Sequence, residues 1–289
     1  MYHCNSCGWS VECVDCDVSL TYHKYSNDLH CHYCGYKQKL PENCGSCGSS
    51  EMKIKGFGTE KIEDELKIYL PDLKIIRMDW DSVKGKDSYE KIISQFDNKE
   101  ADILVGTQMV TKGLDFDNVG LVGVMSADQM LYFPDFRASE RTFQLITQVS
   151  GRAGRKHKKG KVLIQAFNLS HPVIRDVIQG DFDNFIKREM KERNDFHYPP
   201  YNRLIHIQLK HKKKEVTEEA GHFFAARLKA SLGQKVLGPA EPGISRVRSQ
   251  YLIDVLIKLG LNSKGLNDSK SLIKRIQDEM RSLKQFNGI

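Results

Sequence analysis

Cysteine occurs eight times in 289 residues, and all eight fall within the first fifty as four Cys-x-x-Cys pairs: Cys4/Cys7, Cys13/Cys16, Cys31/Cys34 and Cys44/Cys47. A Cys-x-x-Cys turn aims two sulfurs at one point, so two such knuckles supply the four thiolates of a closed tetrahedral Zn²⁺ site. Eight sulfurs therefore predict two structural zincs. Two knuckles that share a metal are usually separated by roughly 15–20 residues. Fourteen residues lie between Cys16 and Cys31, but only five between Cys7 and Cys13. This spacing favours a nested arrangement, with Cys13, Cys16, Cys31 and Cys34 as an inner site and Cys4, Cys7, Cys44 and Cys47 as an outer one. Sequential pairing is the alternative.

A disulfide framework fits less well, because no signal-peptide-like apolar region precedes the cysteines and none occurs elsewhere in the chain. A catalytic zinc keeps an open position, whereas these ligands come in complete fours. His3, His23, His30 and His32 are then read as surface or DNA-facing groups. The aliphatic residues of the segment are Val11, Val14, Val18, Leu20, Leu29 and Leu40, with no Ile or Phe. So small a core does not fold alone, and metal binding, on the order of 10 kcal/mol per site, replaces the missing burial.

A second group of residues suited to chemistry lies in the middle of the chain. In Gln148-Val149-Ser150-Gly151-Arg152-Ala153-Gly154-Arg155, two arginines three apart at a glycine-loosened helix end can reach one phosphate cluster, a task for which the guanidinium fork is shaped. Upstream, Ile103 to Asp115 is a buried strand running into a loop with Thr107, Thr111, Gly113 and Asp115; α/β sheets bind nucleotides at such strand ends. From Arg152 to Lys161 there are six Lys or Arg residues, including Lys156, Lys158 and Lys159, and no acid. Lys210-His211-Lys212-Lys213-Lys214 is a second basic run. Either run could track a phosphate backbone or be a solvated face. Tyr2, Trp9, Tyr22, Tyr25, Tyr33 and Tyr36 could stack unpaired bases, although some must pack the small core.

Hydrophobic periodicity places these residues on elements. Helices are predicted at Thr59–Tyr69 (with Thr59 as N-cap), Ser88–Phe96 and Ala138–Val149, and strands at Leu73–Met78, Ala101–Val105, Val119–Met125 and Lys161–Ala166. Strand alternating with helix predicts a parallel α/β layer. From Asp181 a helix carries Phe182, Phe185, Ile186 and Met190, followed by the turn His197-Tyr198-Pro199-Pro200. Beyond it, strands at Leu204–Leu209 and Tyr251–Leu256 and helices at Val216–Leu232 and Ser269–Leu283 suggest a small α+β domain. The expected division is a cysteine-rich module at 1–50, an α/β lobe at 51–190 and an α+β domain at 191–289. A net charge of +7 is compatible with nucleic acid, and apolar runs such as Leu121 to Met125 are strand-sized, which argues against membrane spans. A cytoplasmic location follows by default.

The middle strings carry a family resemblance. GTQMVTKGLDF resembles motif V, and QVSGRAGR motif VI, of superfamily 2 helicases. The ordered set of four CxxC pairs, GFGTEKIEDEL, RMDWD, GTQMVTKGLDF, PDFRASERTFQL, QVSGRAGR, YPPY and VLGPAEP resembles the C-terminal portion of the primosomal protein N′ (PriA) family of replication-restart helicases over nearly the whole chain. The resemblance implies a RecA-like second helicase lobe with a two-zinc cysteine-rich module and a small α+β C-terminal domain. It implies ATP-dependent 3′ to 5′ unwinding of stalled forks in a nucleoid-associated primosome, with primosome proteins, single-stranded DNA-binding protein and the replicative helicase as partners. Gln148, Arg152 and Arg155 would face the ATP γ-phosphate, Arg155 as arginine finger. Gly113, Asp115 and Gly151 would lie by the nucleotide, and Thr107 and Thr111 on the DNA backbone. Asp128, Asp135, Arg137, Glu140 and Arg141 match family strings and are read as structural ion-pairing groups.

Two features of such a motor have no counterpart: no GxxxxGK[ST] phosphate loop and no DExH metal site occurs in the sequence, and Gly154–Lys161 has the wrong spacing for a phosphate loop. The chain is therefore expected to be a fragment or incomplete gene product lacking the first lobe, able to use ATP and Mg²⁺ only with that lobe. The alternative is a non-catalytic, zinc-stabilised fragment that binds DNA and protein.

Overall fold

Short strands open the chain because its cysteine knuckles leave little length between turns. The computed structural model describes residues 1–24, 26–54, 58–79, 82–83, 86–111, 116, 119–151, 153–154 and 160–289, with backbone alone at 86–87, 109, 111 and 263–264. β1 (Tyr2–Cys4) pairs antiparallel with β5 (Met52–Ile54), and β2 (Thr21–His23), β3 (Asp28–His30) and β4 (Lys37–Lys39) form a three-stranded antiparallel sheet. Their core is Val11, Leu20 and Leu29 with Cys13, Cys16 and Cys31, covered by Tyr2, Trp9, Tyr22 and Tyr36. Four of the six rings read as base-stacking candidates are thus committed to packing. Tyr33 stays exposed, and Tyr25 lies outside the described residues.

Residues Phe57–Glu192 form a compact unit of their own. α1 (Thr59–Tyr69) packs on β6 (Ile75–Met78), which pairs in parallel with β7 (Ile103–Gly106); α2 (Lys86–Asp97) lies between them in sequence. The N-cap is Gly58 rather than Thr59, whose hydroxyl instead donates to Asp79. β8 (Leu121–Val124) pairs in parallel with β9 (Lys161–Ile164), and α3 (Asp128–Leu131), α4 (Ala138–Ser150), α5 (Pro172–Gln179) and α6 (Phe182–Asp195) follow the chain order. Both strand pairs have the expected parallel sense. One apolar cluster joins Met78 and Phe116 to α2, and a second joins Ala127, Leu131, Phe143, Ile146, Ile174 and Phe185, where the Phe143 and Phe185 rings stack with centroids 4.2 Å apart.

The other compact unit combines Met1–Gly56 with Arg193–Ile289. In its C-terminal part β10 (Arg203–His211) pairs along its whole length with β13 (Gln250–Leu259), whose far side takes β11 (Val236–Ala240) and the two-residue β12 (Arg246–Val247). β13 alternates by pleat, so Ile253, Val255, Ile257 and Leu259 all point into the core. α7 (Lys214–Leu232) and α8 (Ser263–Ser282) cover them with Phe224, Leu228, Ile276 and Met280. A Cβ on Gly221 would lie 2.8 Å from Ile253, so α7 rides close over the sheet.

Candidate metal centres and nucleotide-facing motifs

The eight thiols gather into two groups, Cys4, Cys7, Cys44 and Cys47 in one and Cys13, Cys16, Cys31 and Cys34 in the other, each with its sulfurs within 4.8 Å of one another. This is the nested grouping. Cys4 Sγ is 3.7 Å from Cys47 Sγ, Cys7 Sγ is 3.6 Å from Cys44 Sγ, and Cys13 Sγ is 3.5 Å from Cys34 Sγ. A tetrahedron with Zn–S bonds of about 2.3 Å has edges of about 3.8 Å, whereas a disulfide needs about 2.05 Å. All eight cysteines are free thiols at a separation that fits a tetrahedral ion. Two Cys4 clusters are therefore present, each with the donor set of a structural zinc site.

Local backbone shapes each cluster. Turn amides donate to sulfur: Asp15 N–H to Cys13, Tyr36 N–H to Cys34, and Ser46 and Cys47 N–H to Cys44, all at 3.4–3.5 Å. Such donors favour thiolate. At Cys4 burial opposes ionisation, but the Cys7 and Ser6 amides outweigh it and bring the thiol down to about 6; at Cys31 burial is likewise outweighed by the Cys34 and Tyr33 amides, giving about 7. Burial pushes Cys13 up to about 12. At Cys47 the Ser49 amide lowers the value, yet proton sharing with Cys7 carries it up to about 12. Each cluster thus pairs a thiol whose pKa is lowered with one whose pKa is raised, and a divalent ion would displace the remaining protons.

The histidines stay outside both clusters. His23 and His30 stack with ring centroids 4.2 Å apart, His30 Nε2 lies 2.6 Å from Asp28, and His3 Nδ1 lies 3.0 Å from the Lys53 carbonyl. His3, His23 and His30 are half-buried, and only His32 is exposed.

The motif strings occupy element ends. Thr107 is exposed directly after β7 and begins a 3-10 turn, Gln108–Thr111, that packs against α4. α4 carries exposed Gln148 in its last turn and ends at the C-cap Gly151. The structure therefore brings the Thr107 segment beside the helix that bears Gln148. Arg152, Arg155, Gly113, Asp115, Lys156, Lys158 and Lys159, and the side chain of Thr111, lie outside the described residues. In the second basic run Lys214 is tied to Glu241 (3.2 Å) and Glu218 (3.6 Å), and the Glu241 contact raises its pKa, while Lys210, Lys212 and Lys213 are exposed.

Matched strings without chemistry turn out to brace the lobe. Arg77 joins Glu60 (2.8 Å), Asp79 (3.3 Å) and Glu63 (3.5 Å), which links the GFGTEKIEDEL and RMDWD strings. Arg141 pairs with Asp135 at 2.8 Å, and buried Asp128 accepts the Phe167 amide at 2.7 Å. In the YPPY string, Lys258 Nζ sits 3.9 Å over the Tyr198 ring and donates to the Phe196 carbonyl.

Two glycines escaped the sequence reading. A Cβ on Gly106 would lie 2.4 Å from Val110 and 2.6 Å from the Met78 carbonyl, so only glycine lets GTQMVTKGLDF leave its strand here. A Cβ on Gly160 would lie 2.4 Å from backbone atoms of Ala153 and Gly154, so Gly160 packs directly against the Ala153-Gly154 backbone, an approach only glycine allows. For Gly160 the only signal was that it and Gly154 flank the basic stretch Arg155 to Lys159.

Comparison with known proteins places these observations. Residues 13–39 match the PriA DNA helicase Cys-rich region (CRR) domain, residues 58–157 the helicase conserved C-terminal domain, and residues 194–287 the primosomal protein N C-terminal domain. The chain is 45% identical over 259 residues to the replication restart protein PriA of Bacillus subtilis, covering 88% of this chain and 32% of that protein. It is 41% identical over 261 residues to the PriA of Synechocystis, covering 88% and 31%, and 41% identical over 259 residues to that of Chlamydia pneumoniae, covering 88% and 35%. The chain thus spans about a third of the length of these relatives. With its two Cys4 clusters, its helicase C-terminal lobe and its C-terminal domain in this order, the chain belongs to the PriA replication-restart family and corresponds to the C-terminal portion of its members.

Proposed function

We propose that this chain provides the second motor lobe, the zinc module and the C-terminal domain of an ATP-dependent 3′ to 5′ DNA helicase that recognises stalled forks and starts reloading of the replicative helicase. The observation that carries this reading is the order of three matches along one chain, a helicase C-terminal domain lying between two domains of the PriA family. On this reading the two clusters each hold one structural Zn²⁺. Gln148, Arg152 and Arg155 present donors to the γ-phosphate of ATP held with Mg²⁺ by a phosphate-loop lobe, and Arg155 stabilises the charge of phosphoryl transfer. Gly113, Asp115 and Gly151 border the nucleotide. Thr107 and Thr111 grip the DNA backbone, with Lys156, Lys158 and Lys159 adding phosphate contacts. Position close to the nucleotide couples that grip to the ATP state. The partners are forked DNA, primosome proteins, single-stranded DNA-binding protein and the replicative helicase, in the bacterial cytoplasm at the nucleoid. Among the described residues no helix is long and apolar enough to cross a membrane.

One observation favours a second reading: the 289 residues contain no phosphate-loop string. On that reading the chain is a non-catalytic, zinc-stabilised module that binds DNA and protein. Fluorescence anisotropy with forked DNA across a salt series tests what both share. Neutralised phosphates release counterions, so affinity falls steeply as salt rises; binding that is undetectable or indifferent to salt defeats both readings. Adding ATP separates them. The helicase reading expects DNA-stimulated hydrolysis only when a phosphate-loop lobe is supplied, and no hydrolysis under either condition leaves the non-catalytic reading.

A further inference from the structure

The inner cluster differs from the outer one in where its hydrogen bonds come from. The outer sulfurs take their amide donors from residues of the cysteine-rich segment, such as Ser46 and Cys47 at Cys44. In the inner cluster, Cys16 Sγ accepts the Arg248 N–H at 3.3 Å, a donor 232 positions away in the C-terminal domain.

Arg248 and Ser249 are the two-residue turn between β12 and β13, and both have left-handed φ, 52° and 57°. Paired positive φ matches the twist of a hairpin, but it normally selects Asn or Gly. Neither is here, so contacts made by the turn must hold it. They converge on one knuckle. Asp17 N–H donates to the Arg246 carbonyl (2.9 Å) and Ser249 N–H to the Asp15 carbonyl (2.7 Å). The Asp17 carboxylate accepts from Ser245 Oγ (2.5 Å) and Arg246 Nε (3.0 Å), and Asp15 accepts from Ser249 Oγ (2.5 Å). Arg248 Nε donates to the Tyr33 carbonyl (3.1 Å), and Val247 packs onto the apolar cluster around Cys13, Cys16 and Cys31. The hairpin therefore grips the Cys13–Asp17 knuckle and also touches Tyr33, between Cys31 and Cys34.

We propose that the Arg248-Ser249 turn is a positioning element for the inner metal: it completes the hydrogen-bond shell of Cys16 from the C-terminal domain, so that zinc retention in the inner site and docking of the hairpin depend on each other. This rests on the reading that both clusters bind zinc. Outer-shell partners orient metal ligands, and their loss typically weakens metal binding about 10- to 100-fold. Because coupling is reciprocal, loss of the inner zinc must loosen the hairpin by the same factor.

The test uses the whole chain loaded with zinc, first counted as two per chain. A chromogenic chelator, 4-(2-pyridylazo)resorcinol, then times release from the wild type and from Asp17→Ala/Ser249→Ala, which keeps every cysteine. Alkylation with peptide mapping identifies the four thiols freed at each step. The expected result is release from Cys13, Cys16, Cys31 and Cys34 accelerated about tenfold, with the outer site unchanged. In the cobalt-substituted protein the thiolate-to-metal band of the inner site moves to longer wavelength, because a sulfur that loses a hydrogen bond is easier to oxidise. Two zincs released at wild-type rates overturn the proposal and leave the metal reading intact, as does equal acceleration at both sites. Fewer than two zincs in the wild type overturn the metal reading itself. A measurement on the wild type alone is independent of how the variant folds: amide exchange at Arg248 and Ser249 should stay slow while the inner site holds zinc and become fast when it is emptied. Protection that survives emptying overturns the proposal.

Discussion

Cys4 Sγ and Cys47 Sγ lie 3.7 Å apart although 43 positions separate them in the chain. The pair closes the outer cluster at both ends of the cysteine-rich segment, while the inner cluster is complete within residues 13–34. The two sites share no ligand. Cys13→Ala is therefore expected to remove one zinc and leave the other on Cys4, Cys7, Cys44 and Cys47, and Cys44→Ala to do the converse. Metal content by mass spectrometry should read one zinc per chain in each variant; a fall to none in both would show that the sites are not independent.

Chelation should unfold the cysteine-rich strands before the C-terminal sheet. The first depend on a core of a few aliphatic residues and on metal that contributes on the order of 10 kcal/mol per site. The second has an apolar core of its own, built on Ile253, Val255, Ile257, Phe224 and Leu228. Hydrogen exchange after excess chelator is expected to show β2–β4 amides exposed while β10 and β13 stay protected. Simultaneous loss in both would mean that the C-terminal core needs metal.

Acid should act first on the metal sites and later on the lobe. Protons compete with the ion for thiolate, so zinc retention falls as pH falls. Asp79 behaves as a separate case: burial raises its pKa, but the Thr59 hydroxyl, the Ser82 amide and Arg77 more than offset this and hold it below the usual carboxylate value. A depressed carboxylate stabilises the fold above its unfolded value and loses that contribution as pH falls through its folded value. Unfolding of Phe57–Glu192 followed from pH 7 to 2 should show stability falling below about pH 4 in the wild type. Asp79→Asn should be less stable near neutrality and show a smaller fall in acid; an unchanged acid limb would contradict the assignment.

Gly106→Ala and Gly160→Ala should each destabilise the lobe, because the added methyl meets backbone atoms within 2.4–2.6 Å. Overpacking of this kind costs about 1–3 kcal/mol. Gly120→Ala, where nothing lies within 4 Å of the new atom, is the control. Thermal unfolding should rank both variants several degrees below the control, and equal midpoints would show that the chain relaxes at no cost.

Arg77→Ala leaves Glu60, Glu63 and Asp79 without their shared cation. With its side chain 17% exposed, Arg77 is expected to contribute about 1–3 kcal/mol through its charged hydrogen bonds. Denaturant unfolding of Arg77→Ala and Arg77→Lys should place the lysine variant between alanine and wild type, since one ammonium cannot reproduce the fork.

Much of this protein was written locally. The metal donors, the parallel strand–helix alternation of 57–192 and the long helix ending at Gly151 are set by spacing and periodicity, which act over a few residues and are therefore readable without a fold. The grouping of the cysteines was favoured by loop length, but it took the folded sulfurs to bring Cys4 to Cys47. Other features had no local signal. Nothing around Asp15 or Asp17 announces a partner at Ser245 to Ser249, because that contact joins residues more than 220 positions apart. Nor does a sequence show that Gly160 must touch Ala153, or that Thr59 turns its hydroxyl to Asp79 instead of capping its helix. The sequence by itself determined which residues can bind metal or phosphate, because that is a property of side-chain chemistry and short-range geometry. Only the tertiary structure decided which distant backbone groups complete those sites, because a hydrogen bond between remote segments exists only once packing has brought them together.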